Sequence, residues 1–559
     1  MEEIKVYKDG KIWLALNDAD EEIYLLPGKA NRHGLVAGAT GTGKTVTLKV
    51  LAEAFSDMGV PVFLADVKGD IAGLMAPGTD SEDMRARIER FGLAENGFSY
   101  QGYPVTFWDI YGQKGIQLRT TVSEMGPLLL ARILKLNELQ TNILSIIFKI
   151  ADDNGLLLID TKDLKAMLNH VNHNHKEYEA QYGKMSSASI AAILRAVVAL
   201  EIEGGETFFG EPGLNIHDWI RTENGKGMIN ILDSESLINS GRLYSTFLLW
   251  MLSELFEMLP EVGNPDKPKM VFFFDEAHLL FNDAPKSLLE KIEQVVKLIR
   301  SKGVGVYFCT QNPRDIPDGV LAQLSNRIQH ALRAYTPADQ KSVRAAADSF
   351  RENPAFNTFD TIMALGTGEA VISLLQEDGT PGIAQKARVL PPQSRMGAVS
   401  DYEREAGIRQ TPLYAKYAEA VDPESAFEIL ERLGLEKQAE AERLRQEAEK
   451  AKAEAAEARQ REKEEAAAAK AAQREAEKAE REAQREAEKA EREAQREAER
   501  EAAAKKKAAK SVGSTVAGTV GREVGKTVGG TIGGKFGKTL GGNLGASLGR
   551  GILNTLFGR

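Results

Sequence analysis

A chain of 559 residues, 43% hydrophobic and 27% charged, has apolar material for a sizeable core and a length of roughly three to four domains. That composition excludes collagen-like, mucin-like and disulfide-framework classes, since the single cysteine, Cys309, lies inside an apolar run and suits a reducing compartment. Residues 436–510 carry 21 acidic and 21 basic side chains and residues 511–559 carry six basic and one acidic, so residues 1–435 hold −15 against a total of −10. An acidic head of this kind excludes broad nucleic-acid contact and leaves only local contact, as in a pore lined by a few Lys and Arg.

The start, Met1-Glu2-Glu3, lacks the basic-then-apolar layout of a signal peptide, and no uncharged apolar run reaches the ~18 residues of a membrane span, so a cytoplasmic setting is expected. Residues 1–34 read as a β-hairpin, Ile4–Leu16 with Ile23–Leu26. Core strands are expected at Leu35–Ala37, Val62–Ala65, Val105–Trp108, Met228–Leu232, Met270–Phe274, Val304–Cys309 and Arg327–Leu332. Such runs are apolar on both faces and alternate with helical patterns, which predicts an α/β fold with a doubly wound, mainly parallel sheet. Its two parts are residues 35–124 and 226–400. Between them, residues 125–225 read as an all-α insertion, with helical runs such as Leu128–Leu136, Thr141–Ile150 and Ile190–Ile202.

Residues 401–435 read as a helical connector into a charged helical stalk at 436–510. The helical pattern begins near residue 424. Its second half repeats every eleven residues, Gln473–Ala483 and then Gln484–Ala494, a period of right-handed supercoils. The stripe is Ala, so two readings stand: a lone helix held by i,i+4 pairs such as Glu477 with Arg481, or a coiled coil. Residues 511–559 place an apolar residue every fourth position, from Val512 to Leu556, mostly followed by Gly, which makes a small-residue groove on a helix. Fifteen glycines there weigh against a free helix, at on the order of 1 kcal/mol each. The tail is therefore either disordered or packed through self-association or against a membrane surface.

The strongest motif is Gly38-Ala39-Thr40-Gly41-Thr42-Gly43-Lys44-Thr45, placed between an apolar strand and a helix as a phosphate loop requires. Its backbone N–H groups at Gly38, Thr40, Gly41, Thr42 and Gly43 would cradle phosphates at a helix N-terminus. Lys44 would neutralise the β- and γ-phosphates of ATP, and the Thr45 hydroxyl would ligate Mg²⁺. The run Met270–Phe274 delivers Asp275 and Glu276 at a strand end: Asp275 to hold Mg²⁺ through water, Glu276 to deprotonate the attacking water. Gln311, at the end of another strand, is placed to sense the γ-phosphate. Asp66-Val67-Lys68-Gly69-Asp70 closes a further strand and adds polar support. His170, His173 and His175 lie close together without acidic or cysteine partners and read as a polar linker. His278 reads as a residue coupled to the carboxylates.

These segments, with Asn31-Arg32-His33, Thr310–Pro317 and Leu390–Gly397, make the sequence similar to the HerA/FtsK superfamily of P-loop ATPases over about residues 1–400. Within it, the sequence resembles the bacterial proteins described as HerA-helicase C-terminal-domain-like. The resemblance implies a RecA-like core, hydrolysis of ATP, and a homo-oligomeric, typically hexameric, ring that moves duplex DNA or peptides through a channel. It also implies an arginine supplied by a neighbouring subunit, for which Arg327 and Arg300 are the candidates. The β-barrel that precedes the core in full HerA proteins has no counterpart in residues 1–34. DNA translocation is thus the expected activity. The alternative is an ATPase driving protein assembly or envelope-associated remodelling, peripheral to the inner membrane, through the stalk and tail.

Overall fold

The apolar runs build a single sheet because each is buried on both faces. The computed structural model describes residues 7–505, apart from 9, 96–97, 238–240 and 282–285. Fifteen strands are described: β1 (Tyr7–Lys8), β2 (Lys11–Asn17), β3 (Glu22–Leu25), β4 (Gly34–Ala37), β5 (Val62–Asp66), β6 (Val105–Asp109), β7 (Ile116–Gln117), β8 (Thr222–Glu223), β9 (Lys226–Gly227), β10 (Ile229–Asp233), β11 (Met270–Phe274), β12 (Val304–Thr310), β13 (Asn326–His330), β14 (Glu369–Ser373) and β15 (Gln385–Val389). All but β8 and β9 join one sheet, in the order β1-β2-β15-β14-β13-β4-β12-β11-β5-β10-β6-β7, with β3 on β2. From β13 to β7 every pairing is parallel. From β13 back to β1 every pairing is antiparallel.

Alternation along each strand feeds two cores. Met270, Phe272 and Phe274 of β11 enter one and Val271 and Phe273 the other; Phe63 and its neighbours Val62 and Leu64 divide the same way. The first core is covered by helices Gly241–Met258 and Lys286–Ile299 and by a helical segment starting at Val122. The second is covered by helix Lys44–Asp57, through Leu48, Leu51 and Phe55. Helices on both faces of a parallel sheet place the site where loops leave the C-terminal strand ends.

The helical segment is capped as its sequence dictates, with reciprocal boxes at Thr121/Glu124, Asn137/Gln140 and Asp160/Asp163. Its last α-helical residue is Phe208. Beyond it, Gly210, Pro212 and Gly213 interrupt the helical pattern, and residues up to 225 hold a 3-10 turn and strand β8, so the all-α stretch is shorter than expected. The three close histidines make local bonds: His170 Nε2 lies 2.9 Å from the Tyr178 hydroxyl, and the His173 and His175 rings lie against the carbonyls of Asn169 and Asn172. Among the described residues no group of three or more side chains is arranged to hold a metal.

The chain divides into two units, Met1–Ala441 and Glu442–Arg559. One continuous helix, Ala426–Lys505, begins in the first. Its start is fastened there by Asp163, which accepts bonds from Ser425 Oγ (2.6 Å) and Phe427 N (2.8 Å). Over residues 442–494 the second unit is helical and exposed throughout. The glycine-rich segment 511–559 lies outside the described residues. Among the described residues no single helix is long and apolar enough to cross a membrane.

Candidate functional site

The phosphate loop leaves β4 and enters helix Lys44–Asp57. Glycine is required inside it: Gly41 and Gly43 have φ of +77° and +114°. A Cβ on Gly43 would also stand 3.2 Å from the backbone of Gly368, whose N–H donates to Thr42 O at 2.9 Å. Thr42 Oγ1 closes the loop on Ala39 O (2.7 Å), while Thr40 and Gly41 form the exposed tip. Lys44 is buried, and its amine donates to Gly38 O (2.6 Å) and Ala39 O (3.0 Å). Burial lowers the pKa of this amine, against the pull of Glu276.

Register sets what faces the loop. Thr310 of β12 pairs with Ala37 of β4, so Gln311 follows directly beside Gly38. β11 lies on the far side of β12, which places Asp275 and Glu276 one strand away from the loop rather than in the adjacent strand. Asp275 is buried. Its Oδ1 accepts from Glu276 N (2.9 Å), and its Oδ2 has no hydrogen-bond partner. Burial, then the neighbouring Glu276 carboxylate, pushes Asp275 up to about 6. Glu276 has a left-handed φ of +48°, uncommon for a residue with a side chain and found where function tolerates strain. Its carboxylate is buried, which alone would raise its pKa. Bonds from Lys68 Nζ (2.5 Å) and Gln311 Nε2 (3.1 Å) outweigh burial and hold it ionised. His278 Nδ1 lies 3.4 Å from the same group.

Thr45, Lys44 and the loop tip form one wall of a cleft of about 400 Å³; Lys68 and Asp70 form another, and Thr367, Met396 and Gly397 a third. The structure thus brings together Gly38–Thr45, Asp275, Glu276 and Gln311. It does not bring Arg327 or Arg300 to them. Arg327 is the second residue of β13 and Arg300 precedes β12, both at strand starts, opposite the loop. Arg327 donates to Leu324 O, Ser349 O and Leu321 O at 2.8–3.4 Å. Arg300 is exposed.

Three further residues support the site: Lys68 lies in the polar turn that the sequence marks after β5, though nothing there names its partner, while Glu53 and Lys49 carry no local sequence signal. Lys68 is the cation on Glu276. Glu53, one face of the phosphate-loop helix, is fully buried and accepts from Gln393 N, Ser394 N and Ser394 Oγ. Lys49, one turn earlier, donates to Arg395 O at 2.7 Å. Together Glu53 and Lys49 fasten the segment that carries Met396 and Gly397 into the cleft wall. Two buried histidines are structural. His33 accepts from Val306 N at Nδ1 and lies 2.8 Å from Val296 O at Nε2; His330 joins Thr47 Oγ1 to Glu369 O. Burial drives each down to about 4, so both are neutral.

A phosphate loop on a parallel strand, with a strand ending in Gln between it and a strand ending in Asp-Glu, defines a P-loop NTPase of RecA-like fold. The profile of the helicase HerA-like C-terminal family matches residues 12–537, and the chain belongs to that family. It is 21% identical over 354 residues to the DNA double-strand break repair helicase HerA of Sulfolobus acidocaldarius, covering 63% of this chain and 64% of that protein. To the protein of that name from Sulfurisphaera tokodaii it is 22% identical over 380 residues, covering 66% and 67%. The chain thus spans about two thirds of the length of these relatives. Among solved structures it is similar to the bacterial conjugative coupling protein TrwB, with a TM-score of 0.48 and 16% identity over 72% of this chain and 91% of that one.

Proposed function

We propose that this chain is a Mg²⁺-dependent ATPase motor that couples hydrolysis to movement along DNA, working as a homo-oligomeric ring in the cytoplasm. The observation that carries the reading is the convergence of Lys44, Gln311 and the Asp275–Glu276 pair from three neighbouring strand ends. Lys44 is placed to neutralise the β- and γ-phosphates in exchange for its two loop carbonyls. Thr45 and Asp275 are the residues that would hold Mg²⁺, and the partnerless buried Oδ2 of Asp275 fits that role. A bound Mg²⁺ would offset the negative charge of the phosphates there. Glu276, ionised and at the cleft end of β11, takes the proton of the attacking water, and Gln311 orients that water. An arginine acting in trans, Arg300 or Arg327, would complete the site in a ring; Arg300 is the freer of the two.

DNA enters the proposal through the helicase relatives and is limited by the −15 charge on residues 1–435 to a few local contacts. The test is steady-state ATP hydrolysis by the full chain, with and without duplex or single-stranded DNA, over a salt series, with Glu276→Gln as control. The expected result is turnover that DNA stimulates and salt suppresses, because phosphate contacts release counterions, and that falls by about 10²–10⁴ in Glu276→Gln. Unchanged turnover in Glu276→Gln refutes the assigned base. DNA-indifferent turnover at every salt refutes the DNA motor and favours a second reading, drawn from the 80-residue helix, in which ATP drives assembly or remodelling at a membrane surface through the stalk and tail. Removal of residues 436–559 abolishes assembly in that second case only.

A further inference from the structure

The contact between Lys68 and Glu276 points to a control built into the site. Both oxygens of the Glu276 carboxylate are engaged: Oε1 by Lys68 Nζ (2.5 Å) and Gln311 Nε2 (3.1 Å), Oε2 by Gln311 (3.3 Å) and by His278 Nδ1 (3.4 Å). The Glu276 side chain is only 5% exposed. A carboxylate saturated in this way has little capacity left to accept a proton from water. Of its three partners, Lys68 alone is a permanent cation that also forms a wall of the 400 Å³ cleft beside Lys44 and Thr45. Its side chain is 39% exposed, so the amine reaches both the cleft and the carboxylate.

The backbone below it is fixed. Asp66 at the end of β5 accepts from Lys68 N (3.2 Å), Gly69 N (2.8 Å) and Ile71 N (3.1 Å). Gly69 takes a φ of +75°, and a Cβ there would stand 2.1 Å from Glu235 Oε1. A rigid turn thus carries a flexible four-carbon arm ending in a compact, mobile charge.

We propose that Lys68 exchanges partners: it restrains Glu276 as seen here, and it passes to the γ-phosphate when a nucleoside triphosphate fills the cleft, releasing the carboxylate to the attacking water. The inference rests on the ATPase reading above and adds to it a positioning residue that makes the base available only when a γ-phosphate is present. A diphosphate leaves Lys68 on Glu276.

The test is equilibrium binding of ADP and of a non-hydrolysable ATP analogue, each with Mg²⁺, to the full-length protein. Variants are Lys68→Met, Lys68→Arg, Glu276→Gln and the Lys68→Met/Glu276→Gln double. Lys68→Met is expected to weaken the analogue about tenfold more than ADP, the scale of one charge-assisted contact. Lys68→Arg keeps the wild-type ratio. Glu276→Gln frees Lys68 and tightens the analogue relative to ADP, and that gain disappears in the double variant. Equal losses for both nucleotides, or a Glu276→Gln gain that survives without Lys68, overturns the proposal. Where Lys68→Met fails to fold, an unchanged ratio in Glu276→Gln overturns it equally. A wild type that binds neither nucleotide is a different outcome: it refutes the ATPase reading itself.

Discussion

Replacing Glu53 by Ala removes the acceptor that ties the phosphate-loop helix to the 393–397 segment. Three bonds are lost, from Gln393 N (2.9 Å), Ser394 N (3.0 Å) and Ser394 Oγ (2.6 Å), at a carboxyl with no solvent exposure. Two buried N–H groups left without partners cost roughly 1–3 kcal/mol each. Opposing this is the cost of burying the acid, which pushes Glu53 up to about 7 against the lowering effect of Ser394, Gln393 and Lys49. A carboxyl with a raised folded-state pKa contributes most below its unfolded value of 4.5 and loses that contribution as pH rises through 7. The expected net loss is about 2 kcal/mol at pH 8.5 and about 1 kcal/mol more at pH 6. All four tryptophans, Trp13, Trp108, Trp219 and Trp250, lie buried in the first unit, so urea titration followed by intrinsic fluorescence reads this unit alone. A loss that is equal at both pH values, or larger at pH 8.5, refutes the argument by showing that Glu53 folds as a stabilised anion.

Two further outcomes follow from other positions. Arg404 NH1 meets Asp233 Oδ2 at 3.0 Å with both side chains at most 9% exposed; Arg404→Met leaves a buried carboxylate and is expected to cost roughly 3–5 kcal/mol in the same titration, with Arg404→Met/Asp233→Asn recovering part of it. Gly434 lies within the long helix, and a Cβ there would meet nothing within 4 Å. Gly434→Ala is therefore expected to stabilise that stretch by about 1 kcal/mol, read as slower amide exchange around residues 430–438; unchanged exchange there refutes it.

The parallel half of the sheet is legible in the sequence because β4, β5, β6, β10, β11 and β12 are short, mainly apolar runs buried on both faces, with the mixed β13 beside them. The seven expected runs coincide with β4, β5, β6, β10, β11, β12 and β13 to within one or two residues at most ends. β14 lies outside the expected runs, although Ala370–Ile372 is apolar; β15, Gln385–Val389, mixes polar and apolar residues, and beside its near neighbour β14 its other partner is β2, more than 350 residues earlier in the chain. The site divides the same way. The phosphate loop is a local backbone device, written in adjacent residues. Glu53, Lys68 and Arg404 are single charges whose partners stand 341, 208 and 171 residues away, and no spacing rule links such positions. The place of β12 between the loop and the Asp-Glu strand is likewise a property of strand order, which chain order does not state.

The eleven-residue repeat gives the long helix an adjustable length. At about 1.5 Å per residue, adding or losing one repeat moves the far end by roughly 16 Å but turns it by only about 20°. The repeats at 473–483 and 484–494 are identical in sequence. Slippage of one repeat unit in the coding sequence would therefore change the span of this arm in fixed steps and leave the same residues facing the same side. One repeat more or fewer would thus change the helix by a fixed step and leave the residues of the nucleotide site, far earlier in the chain, as they are.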